Sequence, residues 1–351
     1  MTPTASPAPF YLQARQLQAG LHRDGIAFAD MRRAQPLEKE FAGQVEPSPG
    51  RRPSPRGEVR YLEGDFRARP VPIVSGPASR VGYFLDGTQR TLPFSRFGMV
   101  PTAVGMSAVG VVEREPGGPC AIAPGSIAQR NVWMIPQVDG VAETKELADR
   151  LRALGEDVVD PLVDNDVETS GDYSLHLQAI YSSCLLAREQ IEQEALLSFW
   201  DQDRQSQRDR WIAVDGRLTT PLPRAIGLVK QFSNTYLSAA DASILLSLQP
   251  GERSSAFQPA VRSSTEPRTL WYLRLWSADG QDARHGLMRL ETHGSVVDTE
   301  EVDQISSWIL AERTPRATGD ARWATLLYPI HILERSLKRL LDAETRGWTT
   351  R

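Results

Sequence analysis

Apolar residues recur along this chain at two spacings, which divide it into strands and helices. Between about residues 70 and 136, short apolar segments separated by turn residues predict successive strands in an antiparallel meander. The segments are PVPIVS, RVGYFLD, TAVGMSAVGVVER, CAIAPGS and NVWMIPQ. Helical spacing over 141–153 and 174–205 then predicts a short helix followed by a long amphipathic one.

The second half returns to strands and closes with helices. WIAVDG and PRAIGLVKQF each contain a strand, TLWYLRLWS and HGLMRLETH predict a strand pair, and AADASILLSL is ambiguous. Two helices are predicted near 299–312 and 325–345. This order predicts an α/β fold in which a mixed sheet is flanked by helices.

The N-terminal part has a different character. Residues 8–34 carry apolar residues at mostly helical spacing, so we predict an N-terminal helical segment over 1–45. Residues 46–58 are rich in Pro, Ser, Gly and Arg and predict a linker or exposed loop. The remaining residues, 59–351, then form the main domain.

Composition narrows the class of protein. With 40% hydrophobic and 24% charged residues in 351, the chain has the balance of a globular protein with a substantial core. The net charge of −4 means that any DNA contact needs a local basic groove. We predict a cytoplasmic protein that does not enter a membrane. The chain has only two cysteines, Cys120 and Cys184, and it shows no secretion signal and no long apolar span.

Candidate chemistry begins with a repeated phrase. In YFLDG and IAVDG, an apolar strand runs into Asp-Gly, at Asp86 and again at Asp215. Asp and Gly are ordinary turn residues, so each phrase alone also fits the end of a strand. On neighbouring strands, however, the two aspartates would bring two carboxylates to one point, which is unfavourable unless a cation lies between them.

The long helix offers a third carboxylate. Glu192 projects from the face marked by Leu185, Leu186, Ile191, Ala195, Leu196 and Phe199. Glu189 lies on the edge of that face and Glu194 on the opposite side, and both remain alternatives. Pairing of Glu192 with a nearby arginine is the structural explanation that competes with a functional one.

Carboxylates in the order Asp, Glu, Asp on strand, helix and strand resemble those of ribonuclease-H-like nucleases. Three hard oxygen ligands suit Mg²⁺ or Mn²⁺. Two such ions, about 3.5–4 Å apart, can activate water and stabilise the leaving oxygen of a phosphodiester.

Six phrases, in order, also resemble the NurA nuclease family over about residues 80–345. They are YFLDGTQR, IAVDGRL, RAIGLVKQF, LWYLRL, GLMRLE and LLYPIHILERSLKRLL. The resemblance implies a ribonuclease-H-like fold, a homodimer and a Mn²⁺-dependent DNA exonuclease and single-strand endonuclease. It also implies a HerA-type hexameric ATPase as partner in DNA end processing.

The resemblance carries over residue by residue. Asp86 and Asp215 match the family's metal-binding aspartates, and Tyr328 matches an active-site tyrosine. The family histidine two turns later is replaced here by Ser336, so either His331, one turn after the tyrosine, substitutes for it or the last ligand is missing. Glu192 is assigned as the helical ligand.

The remaining candidates lie in the same phrases. Lys230, in GLVKQF, is expected to contact the scissile phosphate or else to protect an edge strand. Arg274 is expected to contact a DNA phosphate or to be a solvated strand residue. His285 and His293 are expected at the surface, and Trp271 and Trp276 are expected in the core rather than stacked on bases.

Two other functions stay open from the sequence. A non-catalytic DNA clamp or adaptor on a hexameric motor would explain the replaced histidine. A different ribonuclease-H-like enzyme, one that cleaves RNA, would share the carboxylates.

Overall fold

A computed structural model describes residues 59–72, 79–114, 118–164, 172–200, 210–232, 235–259, 268–293, 298–314 and 323–345. The predicted N-terminal helical segment (1–45) and the predicted linker (46–58) lie outside these residues, as does the second half (73–75) of the predicted strand PVPIVS. None of the described helices is long and apolar enough to cross a membrane.

The described residues form thirteen strands and six α-helices. The strands are β1 (Arg60–Tyr61), β2 (Ala68–Pro70), β3 (Val81–Phe97), β4 (Val100–Arg114), β5 (Cys120–Ile122), β6 (Ala128–Met134), β7 (Val158–Val159), β8 (Trp211–Asp215), β9 (Ala225–Val229), β10 (Glu252–Ser254), β11 (Phe257–Gln258), β12 (Arg268–Arg274) and β13 (Leu287–His293). The helices are α1 (Ala142–Ala153), α2 (Pro161–Asp164), α3 (Tyr173–Phe199), α4 (Ala239–Ser247), α5 (Thr299–Glu312) and α6 (Tyr328–Glu344). A short 3₁₀ helix spans Trp323–Thr325.

All thirteen strands belong to one mixed sheet. Its main path runs β1-β11-β12-β13-β9-β8-β3-β4-β6-β7. Strands β3, β4 and β6 form the predicted antiparallel meander. Strand β8 joins the other side of β3 in parallel, β9 is parallel to β8, and β13 and β12 continue antiparallel. The predicted α/β fold with a mixed sheet flanked by helices is confirmed.

Alternating side chains of β3 divide the core between two helix layers. Phe84 belongs to a cluster with residues of α5 and α6, so we call this side of the sheet the α6 face. Leu85 points the opposite way and packs with Ile191 and Phe199 of α3, which defines the α3 face. Both α3 and α6 cross β3 and β4, so the middle of the sheet is covered on both sides.

The ambiguous segment AADASILLSL is helix α4. The carbonyl groups at the end of this helix bind Arg274, which was wrongly expected to contact DNA or to be solvated. That side chain is fully buried rather than solvated or free to contact DNA. Its guanidinium donates to the carbonyl oxygens of Leu245, Leu246 and Leu248 at the end of α4, and to those of Ala283 and His285. The last carbonyls of a helix have no partner within it, and a five-donor guanidinium can satisfy several of them.

The expectation for Trp271 is confirmed. It is fully buried in β12, and its indole Nε1 donates to Ser306 of α5 at 2.9 Å. A tryptophan satisfied in this way anchors a helix to the sheet and has no face left for a base.

Candidate functional site

Asp86 and Asp215 lie side by side on neighbouring strands. The parallel register of β3 and β8 pairs Phe84 with Ala213 and Leu85 with Val214, so the two aspartates occupy the next matched positions. Neighbouring strands are about 4.8 Å apart, and side chains at matched positions of parallel strands point the same way. Both carboxylates therefore belong to the α6 face, at the point where β8 ends.

The two Asp-Gly phrases are not equivalent, although the sequence treats both as strand ends. Strand β8 does end at Asp215, and Gly216 follows with φ +130° in a region that favours glycine. Strand β3 instead continues through Asp86 and Gly87 to Phe97, so the expected turn after Asp86 is wrong. The reason is long-range, because β4 pairs with β3 along nearly its whole length.

Lys230 follows the last residue of β9 and is bound to this pair. Its Nζ donates to Oδ2 of Asp215 at 2.5 Å, and its charge also acts on Asp86. The Lys230 side chain is 14% exposed, and the strand it follows, β9, lies inside the sheet between β8 and β13. The alternative of a lysine that protects an edge strand is therefore wrong. The ammonium partly offsets two carboxylates that share a small space.

Glu192 approaches from the opposite side of the sheet, through a gap left by Gly87. A Cβ placed on Gly87 would lie 2.2 Å from Oε1 of Glu192, so only glycine leaves room for this carboxylate. Glu194 is 59% exposed and bound to Arg130, and Glu189 is exposed at the rim. Of the three glutamates that the sequence left open, Glu192 is the one placed against β3.

Helix α3 differs in detail from the predicted buried face. Leu186 was expected to be buried but is 43% exposed, and it lines the cavity beside Glu192. The residues that do pack on the sheet include Ile180, Cys184 and Ile191. The buried stripe is therefore rotated, because helix α3 must also contact β4 and β6 beyond β3.

Burial makes negative charge costly at this point. Burial, reinforced by the charge of Asp215, raises the pKa of Asp86 well above its usual range, while Lys230 opposes the shift. Burial also raises the pKa of Glu192 to about 7, with Asp215 and Glu189 adding to the shift and Arg188 opposing it. Raised pKa values on clustered carboxylates are typical of functional sites, because a folded core gains nothing from them.

The carboxylates open into a cavity of about 690 Å³ with a mixed rim. Its acidic lining residues are Asp86, Glu189, Glu192 and Asp215, and its basic lining residues are Arg188, Arg217, Lys230 and Arg284. His285 also lines it, although the sequence placed this residue at the surface. His293 is half-buried, with Nε2 3.2 Å from the carbonyl oxygen of Leu218. The arginines of this rim are the groups that can contact an anionic ligand.

Tyr328 and His331 are not among the described residues that line this cavity. Tyr328 is 52% exposed at the first residue of α6, followed by Pro329 in the first turn as expected. His331 is half-buried one turn later, with its Nδ1 unpaired. The Ser336 hydroxyl donates to the carbonyl oxygen of Ile332 at 3.1 Å. In this arrangement helix α6 brings neither side chain to the carboxylates.

Helix α6 contributes a different residue that the sequence reading missed. The charge of Glu334 adds to the raised pKa of Asp86, and its carboxylate is bound to Lys338 at 2.6 Å. The signal was available, because Glu334 is four residues after Ile330 and three before Leu337, both buried. The same face argument that selected Glu192 on α3 selects Glu334 on α6.

The chemistry of the donors fits a hard divalent cation. Glu192 Oε1 is buried without a hydrogen-bond donor, and its nearest cation is Arg188 Nε at 3.5 Å. Asp86 and Asp215 supply further oxygen donors and an excess of negative charge. Within the described ranges no three Asp, Glu, His or Cys side chains are already arranged as a metal-binding group. Asp86, Asp215 and Glu192 are the residues that would hold such an ion.

Comparison with models of known protein families gives no match, and comparison with curated proteins gives no significant match either.

Replacing Gly87 with alanine tests the role of the gap in β3. The new methyl group would lie within 3 Å of the Glu192 side chain, which must move aside, so the fold should survive with a loss of about 1–3 kcal/mol, the usual cost of overpacking. We expect Gly87→Ala to bind Mn²⁺ at least about tenfold more weakly in calorimetry. Gly105→Ala, whose methyl group would lie 2.9 Å from Sγ of Cys184 on the same helix but opposite Thr91 rather than Asp86, is the matched control. Equal Mn²⁺ affinity in both variants would contradict the placement of Glu192.

Replacing Glu192 with glutamine tests its raised pKa. A carboxyl group whose pKa rises from 4.5 to about 7 on folding binds its proton more tightly in the folded state, so its contribution to stability falls as pH rises between these values. In EDTA, the free energy of unfolding of Glu192→Gln should rise relative to that of the parent protein as the pH is raised from 5 to 8, by about 3 kcal/mol at most. Urea unfolding at the two pH values measures this, with Glu194→Gln as the exposed control. Parallel pH profiles for parent and Glu192→Gln would show that the carboxylate is not perturbed.

Proposed function

We propose that this protein is a metal-dependent DNA nuclease, with exonuclease and single-strand endonuclease activity, of the NurA type and with a ribonuclease-H-like fold. The observation that carries the proposal is the pair Asp86 and Asp215 at matched positions of two neighbouring parallel strands, with Glu192 and Lys230 beside them. Carboxylates crowded in this way are costly without a cation, so a function that needs one explains them best.

The topology supports the proposed fold. An antiparallel meander begins with the aspartate strand β3, a helix carrying the glutamate follows, and strand β8 returns parallel to β3 with the second aspartate. This is the order of acidic residues on which the resemblance to ribonuclease-H-like nucleases rests. The sheet extends further, through β9, β13 and β12, where three of the NurA-like phrases lie.

The cavity rim supports a phosphodiester substrate. Arg188, Arg217 and Arg284 surround the carboxylates, and charge-assisted hydrogen bonds from arginine suit phosphate oxygens. Mn²⁺ or Mg²⁺, when bound, supplies activation of water and stabilisation of the leaving oxygen. Lys230 is bound to Asp215 in the protein as described and would be released toward the scissile phosphate when that carboxylate acquires another cation. Its role would then be to stabilise charge developing on the phosphate.

A second candidate function is a non-catalytic DNA clamp on a motor. It is favoured by one observation, that Tyr328 and His331 do not line the cavity in the described residues. A nuclease needs the carboxylates for cleavage, whereas a clamp cleaves nothing and needs them only for its structure. Mutation of the aspartates, with cleavage and DNA binding measured separately, distinguishes the two.

The partners in the proposal are DNA, a second copy of this chain and a HerA-type hexameric ATPase inside the cell. Support for the homodimer and for the ATPase comes from the NurA-like phrases alone. Light scattering on the full chain tests the first of these, and a stable monomer at micromolar concentration would contradict it.

Cleavage assays test the activity directly. The purified protein should degrade DNA with Mn²⁺ or Mg²⁺ and be inactive in EDTA, on labelled single- and double-stranded substrates run beside matching RNA. Asp86→Asn and Asp215→Asn should each lower the cleavage rate at least about a hundredfold, the scale of losing one electrostatic element of an active site. Glu192→Gln should do the same, and Glu194→Gln should not.

Three outcomes would redirect the proposal. Cleavage of RNA in preference to DNA would favour the other ribonuclease-H-like enzyme class. DNA binding without cleavage by the parent protein would favour the clamp. Full activity in either aspartate variant would remove the assignment of the site.

A further inference from the structure

An aromatic cluster lies beside the carboxylate site. The rings of Trp276 and Trp323 are 5.3 Å apart between centroids and tilted by 57°, and His285 meets Trp323 edge-on at 5.4 Å. All three side chains are half-buried, so each keeps some accessible surface. Trp271, by contrast, is fully buried and hydrogen-bonded, while Trp276 is half-buried and packs against the main core, in line with the expectation for it.

The cluster borders the cavity of the carboxylates, although Trp276 and Trp323 themselves are not among the described residues that line it. His285 lines it directly, and so do Ala324 and Thr325, the two residues that follow Trp323. Lys230 and Asp215 line the same space. At about 690 Å³ the cavity falls within the about 300–1,000 Å³ of typical ligand sites, which leaves room for more than a phosphate group.

The cluster is held in place by specific contacts. The guanidinium of Arg313 lies 4.4 Å from the ring centroid of Trp276, and its Nη1 donates to the carbonyl oxygen of Leu275 at 3.0 Å. Gly286 has φ +70°, and a Cβ there would lie 2.7 Å from the carbonyl oxygen of Trp276. The backbone of Gly286 and the guanidinium of Arg313 therefore hold Trp276 in place, and the ring of Trp323 packs against that of Trp276.

The chemistry of the cluster favours a planar ligand. Burial and the neighbouring Arg274 lower the pKa of His285, so its ring is neutral at neutral pH and presents an aromatic edge rather than a charge. Every nucleobase has a π-face that stacks on an aromatic side chain regardless of sequence. Arg284, which also lines the cavity, supplies a cation for the phosphate beside that base.

We infer that Trp323, supported by Trp276 and His285, is a stacking platform for a nucleobase of single-stranded DNA next to the carboxylate site. The platform holds an unpaired base, so it favours a single-stranded end over an intact duplex, in which bases are stacked on each other. This inference rests on the proposed function for the identity of the polymer, but stacking itself needs neither metal nor cleavage.

The test is binding of fluorescent single-stranded oligonucleotides in EDTA, followed by anisotropy. Trp323→Ala should weaken binding by about 5- to 100-fold, the range for loss of one base–aromatic stack. Trp323→Phe keeps a ring and should stay within about threefold of the parent protein. Trp133→Phe is the matched control, because Trp133 is also half-buried and packs against Phe94 on β3, away from the cavity.

A second measurement changes the DNA instead of relying on the protein variant alone. Oligonucleotides carrying an abasic residue near one end should bind the parent protein more weakly than intact ones, and this difference should vanish in Trp323→Ala. Equal affinities for intact and abasic DNA in the parent protein would overturn the platform. So would an equal loss in Trp323→Ala on both oligonucleotides, since that pattern reports structural damage. Binding that follows the prediction in a protein that cleaves nothing would leave the platform standing and remove the nuclease.

Discussion

Repulsion between a buried carboxylate and a half-buried one is the constraint around which this site is arranged. The parallel pairing of β3 with β8 places Asp86 and Asp215 at matched positions, and burial of Asp86 removes water that would otherwise screen its charge. Lys230 partly offsets the charge from β9, and Asp86 still holds its proton far more tightly than an ordinary aspartate. A core built only for stability would avoid this arrangement, which is the physical argument for a function at this point.

The rest of the fold positions groups around that pair. Helix α3 covers one face and sends Glu192 through the space left by Gly87, while α6 covers the other and brings Glu334 near Asp86. The long strand β3 makes both approaches possible, because it passes under both helices without a turn. The absence of a side chain at Gly87 thus lets Glu192 of α3 lie against β3 beside the aspartates.

Much of this could be predicted from the chain alone. Spacing located the long helices and most of the longer strands, since both carry a strong periodic signal. It missed the short strands β7, β10 and β11, and it ended β3 at Asp86 instead of Phe97. The face argument on α3 selected Glu192 among three glutamates, although the buried stripe is rotated enough to expose Leu186. That rotation depends on contacts with β4 and β6, which no local pattern contains.

Other features depend on tertiary contacts and could not be predicted from the sequence alone. Asp86-Gly87 has the composition of a turn, and only the pairing with β4 makes it the interior of a strand. Arg274 has the composition of a surface residue, yet carbonyl groups from two separate segments converge on it. The aromatic cluster likewise joins residues 276, 285 and 323, which nothing in the sequence links.

The central claim is that Asp86 and Asp215 are paired in order to hold a divalent cation. The most direct measurement is anomalous X-ray diffraction at the manganese edge from crystals of the full chain grown with Mn²⁺. The account predicts a manganese peak in contact with both aspartates, with the Lys230 ammonium moved off Asp215. Absence of a peak there, with Lys230 still bound to Asp215 at saturating Mn²⁺, would contradict it.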